Sequence, residues 1–264
     1  MLTLFIRYRN LLWNLTAREL KIRYRGSALG FFWSVLIPLF MALIYVFFLR
    51  MMAGRGVPLA EIVIGVFAWQ FTVNSVQSGL GSIEGNANLV KKVKFPRIIL
   101  PLSATLANLI NYLLSLLVQI PIVVVLLMLK GQGVGPWWWL LPVVLALHFI
   151  FNLGLALLMA AVNVRFRDAQ HLVGVGLSAW FFVSPVMYNL EFVRNLLGNG
   201  GIGNALYLLN PMAMLVTAYR AAALKGVDFP WTAATCGSMV ICVVIFAAGY
   251  SMFQRAQKDF ADYL

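Results

Sequence analysis

The side chains that carry most acid–base, nucleophilic and metal chemistry are scarce here: eight carboxylates, two histidines and two cysteines in 264 residues. The acids, Glu19, Glu61, Glu84, Asp168, Glu191, Asp228, Asp259 and Asp262, are scattered. No two make the catalytic pair that membrane glycosyltransferases and intramembrane proteases need. His148 and His171 stand alone and read as satisfied structural histidines. Cys236 and Cys242 lie in an apolar run without C-x-x-C or Cys/His spacing, and read as small apolar fillers. No metal site and no catalysis by this chain are expected. Proton-coupled carriage needs embedded acids or histidines, and the apolar runs offer only Glu61 at an edge and His148. No G-x-x-x-x-G-K-[S/T] phosphate loop occurs either. If the chain moves something actively, the energy comes from another polypeptide.

What the sequence does offer is cations and aromatic rings. Its 20 lysines and arginines give a net charge of +12. A charge of that sign suits nucleic acid, but these residues sit at the ends of apolar runs rather than on a polar domain. Anionic leaflet lipid is therefore the expected partner, and nucleic acid is not. Arg7, Arg9, Arg18, Lys21, Arg23 and Arg25 precede the first apolar run, and Lys91, Lys92, Lys94 and Arg97 precede the third. Aromatic groups stand at Phe31-Phe32-Trp33, Phe67 to Phe71 (including Trp69), Trp180-Phe181-Phe182 and Trp137-Trp138-Trp139. The last fits an interfacial belt. The others either line a path over which flat sugar faces slide or pack against lipid and core.

The elements that must hold these groups are membrane helices. The chain is 62% hydrophobic and 11% charged, with mean hydropathy +0.89, against about 25% charged residues in a soluble domain. Six charge-poor apolar runs, residues 31–49, 60–80, 98–129, 137–164, 172–188 and 231–253, predict an all-α integral membrane fold of six spans. Fourteen of the 20 lysines and arginines then fall on inner segments and six on outer ones, which puts both termini inside. The long basic leader and the length of the first run argue against a cleaved signal peptide.

The second run has a polar flank of Gln70, Asn74, Ser75, Gln77 and Ser78, which should face other helices or a wet path. Residues 1–29 place Leu4, Tyr8, Leu11, Leu12, Leu15 and Ile22 near a 3.6-residue period, as either an amphipathic interface helix or a simple anchor. The segment 189–230 is interrupted at Asn210-Pro211, so neither piece spans the core alone. Two re-entrant outer helices fit it better than a kinked seventh crossing. The loop 81–97 is the longest inner connection, offering either a docking helix over residues 84–90 or pure positive-inside anchoring. No internal repeat appears, and the whole of 1–264 reads as one transmembrane domain, with 30–264 forming the bundle.

Four stretches carry a family resemblance: A-R-E-L-K-I-R-Y-R-G-S-A-L-G-F-F-W-S-V-L-I-P-L (17–39), N-A-N-L-V-K-K-V-K-F-P-R-I-I-L-P (86–101), V-R-F-R-D (164–168) and L-N-P-M-A-M-L-V-T-A-Y-R (209–220). In this order they resemble the membrane subunit of type-2 ABC exporters, specifically the polysaccharide and polyol-phosphate export group. The resemblance implies a half-transporter. Two copies form a channel in the cytoplasmic (inner) membrane, and two ATP-binding cassette subunits dock beneath and hold the ATP and Mg. The cargo implied is an undecaprenyl-diphosphate-linked glycan of O-antigen, capsule or teichoic acid type.

Carried onto this sequence, the resemblance makes Glu84, Asn86, Asn88, Leu89 and Val90 the coupling helix. Arg18, Lys21, Arg23 and Arg25 ring the inner mouth with Lys91, Lys92 and Lys94, where they attract the diphosphate. Asn210, Pro211 and Tyr219 belong to the outer gate, and Trp33, Trp69 and Phe71 to the glycan path. The rival readings are a type-2 permease for a small lipid or drug and a non-transporting membrane scaffold.

Overall fold

Backbone N–H and C=O groups inside a bilayer have no water to bond, so a chain this apolar must satisfy them internally, and helices do so segment by segment. The computed structural model describes residues 2–53, 58–166, 168–198 and 201–263. Arg55 and Arg167, both in the charge count, lie outside them, as do the side chains of Leu4, Arg50 and Asp262. The helices are α1 (Leu2–Tyr24), α2 (Trp33–Ala53), α3 (Leu59–Gly81), α4 (Ala87–Lys92), α5 (Ile99–Met128), α6 (Leu141–Arg165), α7 (Ala169–Val183), α8 (Leu190–Leu197), α9 (Ile202–Leu208), α10 (Pro211–Ala223), α11 (Ala233–Ala256) and α12 (Phe260–Tyr263). Among the described residues the one pairing of extended backbone is an isolated bridge from Val134 to Leu224.

Five helices, α2, α3, α5, α6 and α11, are long and apolar enough to cross a membrane. The sixth expected span comes out differently. Helix α7 has 15 residues, about 22 Å of rise, against a hydrocarbon core of about 30 Å. It stops because Pro185 excludes the helical region for the residue before it, and Ser184 is accordingly extended at φ −102°, ψ 145°. The chain continues through residues 184–189 as irregular backbone, buried at Ser184, Pro185 and Val186.

Helix α12 and the middle of α1 pack at the end of the bundle that carries the basic loops. Helix α12 packs on α4 and α6. Arg165 pairs with Asp259 at 2.9 Å, and Arg97 donates to the Gln257 carbonyl. Helix α1 is not a loose anchor, because it climbs along α5. Thr16 Oγ1 reaches the Ser103 carbonyl at 3.5 Å, Arg23 bonds Asn108, and Tyr24 bonds Asn111. Leu12 and Leu15 are buried with Val90, Ile98, Leu157 and Phe253 in a core at the basic end. Ile22, expected on that apolar face, is exposed instead.

A second core of Phe67, Trp69, Phe71, Phe151 and Met212 fills the centre of the bundle and its opposite, far end. Small residues let the helices touch: a Cβ on Gly79 would lie 2.6 Å from the Ala156 Cα, and one on Gly249 would overlap the Gly154 carbonyl. This is the close backbone approach on which membrane helix packing depends.

Candidate functional site

The polar flank of α3 lines a groove of about 450 Å³ between the α1–α2 elbow, α3 and α5. Gln70, Asn74, Gln77 and Ser78 fall three and four residues apart, so they share one helix face. Gln70 donates to Asn74 Oδ1 at 2.9 Å. Across the groove, Arg23 Nη2 donates to Asn108 Oδ1 at 2.6 Å, and Asn108 Nδ2 donates to the Asn74 carbonyl at 3.1 Å and to Ser78 Oγ at 3.1 Å. Tyr24 bonds Asn111, while Trp33, 45% exposed, forms part of the wall. The lining contains one cation and no carboxylate. Amides, hydroxyls, a guanidinium and one open aromatic face form a surface suited to hydroxyl-rich and anionic groups.

Of the seven cations expected at the inner mouth, Arg23 lines this groove. Arg18 is turned toward Asn86, which it bonds, and toward Glu19 at 3.3 Å. Lys21, Arg25, Lys91, Lys92 and Lys94 are exposed at the basic end. The expected coupling element is a single turn over Glu84–Asn86 followed by α4. Asn163 Nδ2 donates to Glu84 at 3.0 Å, Asn86 donates to the Ser82 carbonyl at 2.9 Å, and Val90 is buried at 4% exposure. Three of the five residues expected on the docking face are therefore partly or wholly engaged by their own chain. Asn88 is exposed and Leu89 half-buried. Val90, which the resemblance assigns to the coupling helix, instead anchors α4 in the basic-end core.

Two of the three path aromatics are likewise enclosed. Trp69 packs edge-on against Trp180 and Phe181, each at 5.6 Å, and Phe71 stacks on Tyr112 at 4.8 Å with 3° between the rings. At 6% and 2% exposure neither presents a face to a path within this chain. Trp33 does. His148, the isolated histidine of α6, has both ring nitrogens partnered, by Thr72 Oγ1 at 2.7 Å and by the Tyr219 hydroxyl at 3.3 Å. Tyr219, expected in the gate, thus sits in this buried polar knot. Among the described residues no group of histidine, cysteine or carboxylate side chains could hold a metal.

The second feature is at the far end. Helices α9 and α10 form a hairpin broken at Asn210-Pro211, as the sequence suggests. Asn210 Oδ1 caps α10 by accepting from Met212 N at 3.1 Å and also accepts from Trp180 Nε1 at 3.0 Å, while its Nδ2 donates to Ser184 Oγ at 3.1 Å. Pro211 occupies the first helical turn, where its missing N–H costs nothing. From there α10 rises toward the start of α3, and the Ala223 carbonyl accepts from Gly135 N at 2.9 Å.

Near its end lies Arg220, which sequence reasoning used only as one of the six outer-segment cations. It is 2% exposed, and its guanidinium donates only to main-chain carbonyls: Nε to Glu61 at 2.9 Å, Nη1 to Tyr188 at 2.8 Å and Nη2 to Val186 at 3.0 Å. The irregular segment 184–189 is tolerable at depth because this planar fork satisfies two of its carbonyls. Gly65 makes room. A Cβ there would lie 2.6 Å from the Val186 oxygen and 2.9 Å from Arg220 Nη2. The available signal was a lone arginine closing an apolar helix that follows an Asn-Pro break.

Comparison with known proteins adds three findings. The family model described as "ABC-2 type transporter" matches residues 10–224. The "O-antigen export system permease protein RfbA" of Myxococcus xanthus is 36% identical over 259 residues, 97% of this chain and 95% of that protein. A protein of the same name from Klebsiella pneumoniae is 28% identical over 254 residues, 95% of this chain and 93% of its own length.

Proposed function

This chain belongs to the ABC-2 type transporter family, and we propose that it is the permease half of an ATP-driven exporter carrying an O-antigen-type polysaccharide on an undecaprenyl-diphosphate carrier. The observation that carries the cargo assignment is the near full-length similarity to a permease named for O-antigen export. The groove is the chemical counterpart of that assignment. Arg23 supplies a cation for the diphosphate, Gln70, Asn74 and Gln77 supply exchangeable hydrogen bonds to sugar hydroxyls, and Trp33 supplies an apolar face for a pyranose ring. A path that must let its cargo slide needs many modest contacts rather than one tight one, and a wall of amides meets that need.

In this reading two copies assemble around the cargo, and two ATP-binding cassette subunits bind the basic end through Asn88, Leu89, Lys91 and Lys92. The chain sits in the cytoplasmic membrane with both termini inside. The α9–α10 hairpin, with Asn210, Pro211 and Tyr219, closes the far end. The transport subunit itself carries out no hydrolysis.

The test is co-expression with the paired ATP-binding subunit, purification in lipid nanodiscs, and measurement of ATP hydrolysis with and without undecaprenyl-linked glycan. Hydrolysis that responds to glycan, and loses the response in Arg23→Gln, supports the assignment. A stable, active complex indifferent to glycan points instead to a permease for a small lipid or drug. Failure of the correctly paired subunits to associate points to a scaffold.

A further inference from the structure

Helices α6 and α11 are pressed together around Gly154, Phe246 and Gly249. Toward the far end a crevice of about 520 Å³ opens between them, within the range of about 300–1,000 Å³ typical of small-molecule sites. Its back wall is α10, through Met214, Leu215 and Ala218, and its mouth is framed by Trp137, Trp231 and Asp228. The interior is apolar, so water gains nothing by filling it, while leaving it empty forfeits the contacts of every wall atom. In a bilayer the filler at hand is an acyl chain. Trp137 and Trp231, 54% and 74% exposed beside Trp138 and Trp139, have the amphipathic character that sits at headgroup level.

The one charged group at the mouth is the Asp228 carboxylate, which is exposed and takes part in neither of the two ion pairs among the described residues. A carboxylate beside two indole faces favours an ammonium and disfavours an anionic headgroup. We propose that this crevice is a resident-lipid site for one acyl chain of a phosphatidylethanolamine-type lipid, with its ammonium received by Asp228. The site is separate from the groove and holds whatever the cargo proves to be. Its consequence is mechanical: α10 carries the lipid contacts Met214, Leu215 and Ala218 and also carries Arg220, so the lipid backs the helix that pins the segment 184–189.

The test is native mass spectrometry of the full-length protein released from nanodiscs containing equal phosphatidylethanolamine and phosphatidylglycerol with matched acyl chains. We expect about one retained lipid per chain, with phosphatidylethanolamine favoured roughly tenfold, as a rim carboxylate and aromatic faces together allow. Asp228→Asn should bring the headgroup ratio close to one and leave total retention in place. Ala218→Phe, which fills the back wall, should cut retention of both lipids about tenfold. Val143→Trp, at the exposed rim, should do the same without touching the interior, and serves if the first variant does not fold. Equal or preferred phosphatidylglycerol in the unmodified protein, a ratio unchanged by Asp228→Asn, detergent or a second copy of the chain in place of lipid, or undiminished retention in the filled variants would each overturn the proposal.

Discussion

Replacing Arg220 by methionine keeps the length and apolar stem of the side chain and removes its three donors. The carbonyls of Glu61, Val186 and Tyr188, bonded at 2.8–3.0 Å, then lose their partner. Each buried acceptor left unsatisfied costs about 1–3 kcal/mol. Three such losses do not add in full, because removing a buried guanidinium also returns its desolvation cost. The net loss should therefore resemble that of breaking one partner of a buried pair, about 3–5 kcal/mol. At roughly 2–4 °C per kcal/mol for a chain of this size, Tm should fall on the order of 10 °C.

Arg220→Lys keeps the charge but not the planar fork and should lose about half as much, since an ammonium cannot reach three divergent carbonyls at once. Gly65→Ala attacks the same arrangement from the other side, and its crowded Cβ should cost about 1–3 kcal/mol. The assay is thermal unfolding in nanodiscs followed by tryptophan fluorescence, for each single variant and for the double. Because both changes dismantle one set of bonds, the double variant should lose clearly less than the sum of the singles. An Arg220→Met protein as stable as the original, or strict additivity with Gly65→Ala, would refute the claim that the guanidinium holds residues 184–189 in place.

Asn210→Ala removes the α10 cap and the bonds to Trp180 and Ser184, and should cost about 1–2 kcal/mol by the same unfolding assay. Trp33→Ala and Trp69→Ala should separate path from core. The first should lower glycan export in a cell-surface polysaccharide assay with Tm nearly unchanged, and the second should cost about 3–5 kcal/mol of stability. At the basic end, Val90→Ala should destabilise the purified chain by roughly 2 kcal/mol through its lost contacts in the core. Asn88→Ala together with Lys92→Glu should leave Tm in place and weaken co-purification of the ATP-binding subunit.

The helical plan was legible because membrane backbone must be satisfied locally, so apolar length alone marks each span. The early end of α7 was marked too, by Ser184-Pro185, but a count of apolar residues does not weigh proline. The polar face of α3 was readable from spacing, since 70, 74, 77 and 78 recur with the helical period. Which tryptophan is open and which is enclosed was not readable. Trp33 and Trp69 are the same residue in similar surroundings, and Trp180 and Phe181, which enclose Trp69, arrive from more than a hundred positions away. Arg220 was the largest omission for the same reason. Its role is defined by carbonyls of residues 61, 186 and 188, and backbone acceptors leave no mark in a sequence.

Helix α3 is the element common to both halves of the candidate machinery. Gln70, Asn74 and Gln77 form a groove wall, while Gly65 and the Glu61 carbonyl receive the Arg220 fork from about one and a half turns beyond Gln70 toward the far end. Thr72, within the same stretch as the groove wall, holds His148 and touches Met212 of α10. From Gly65 to Asn74 is about 13 Å of helix, and most of α3 is buried over that stretch. A helix so enclosed does not bend to admit cargo at one end while standing still at the other, because packed interiors shift as units rather than deform. If the groove opens to admit cargo as proposed, α3 shifts against α10, and the bonds that join the two helices, Arg220 to the Glu61 carbonyl and Thr72 to Met212 Sδ, are the ones to feel it. Their geometry suits a contact that must part as well as hold. Main-chain carbonyls accept from the guanidinium without a carboxylate in the fork, so the cost of parting them is that of charge-assisted hydrogen bonds rather than of a salt bridge.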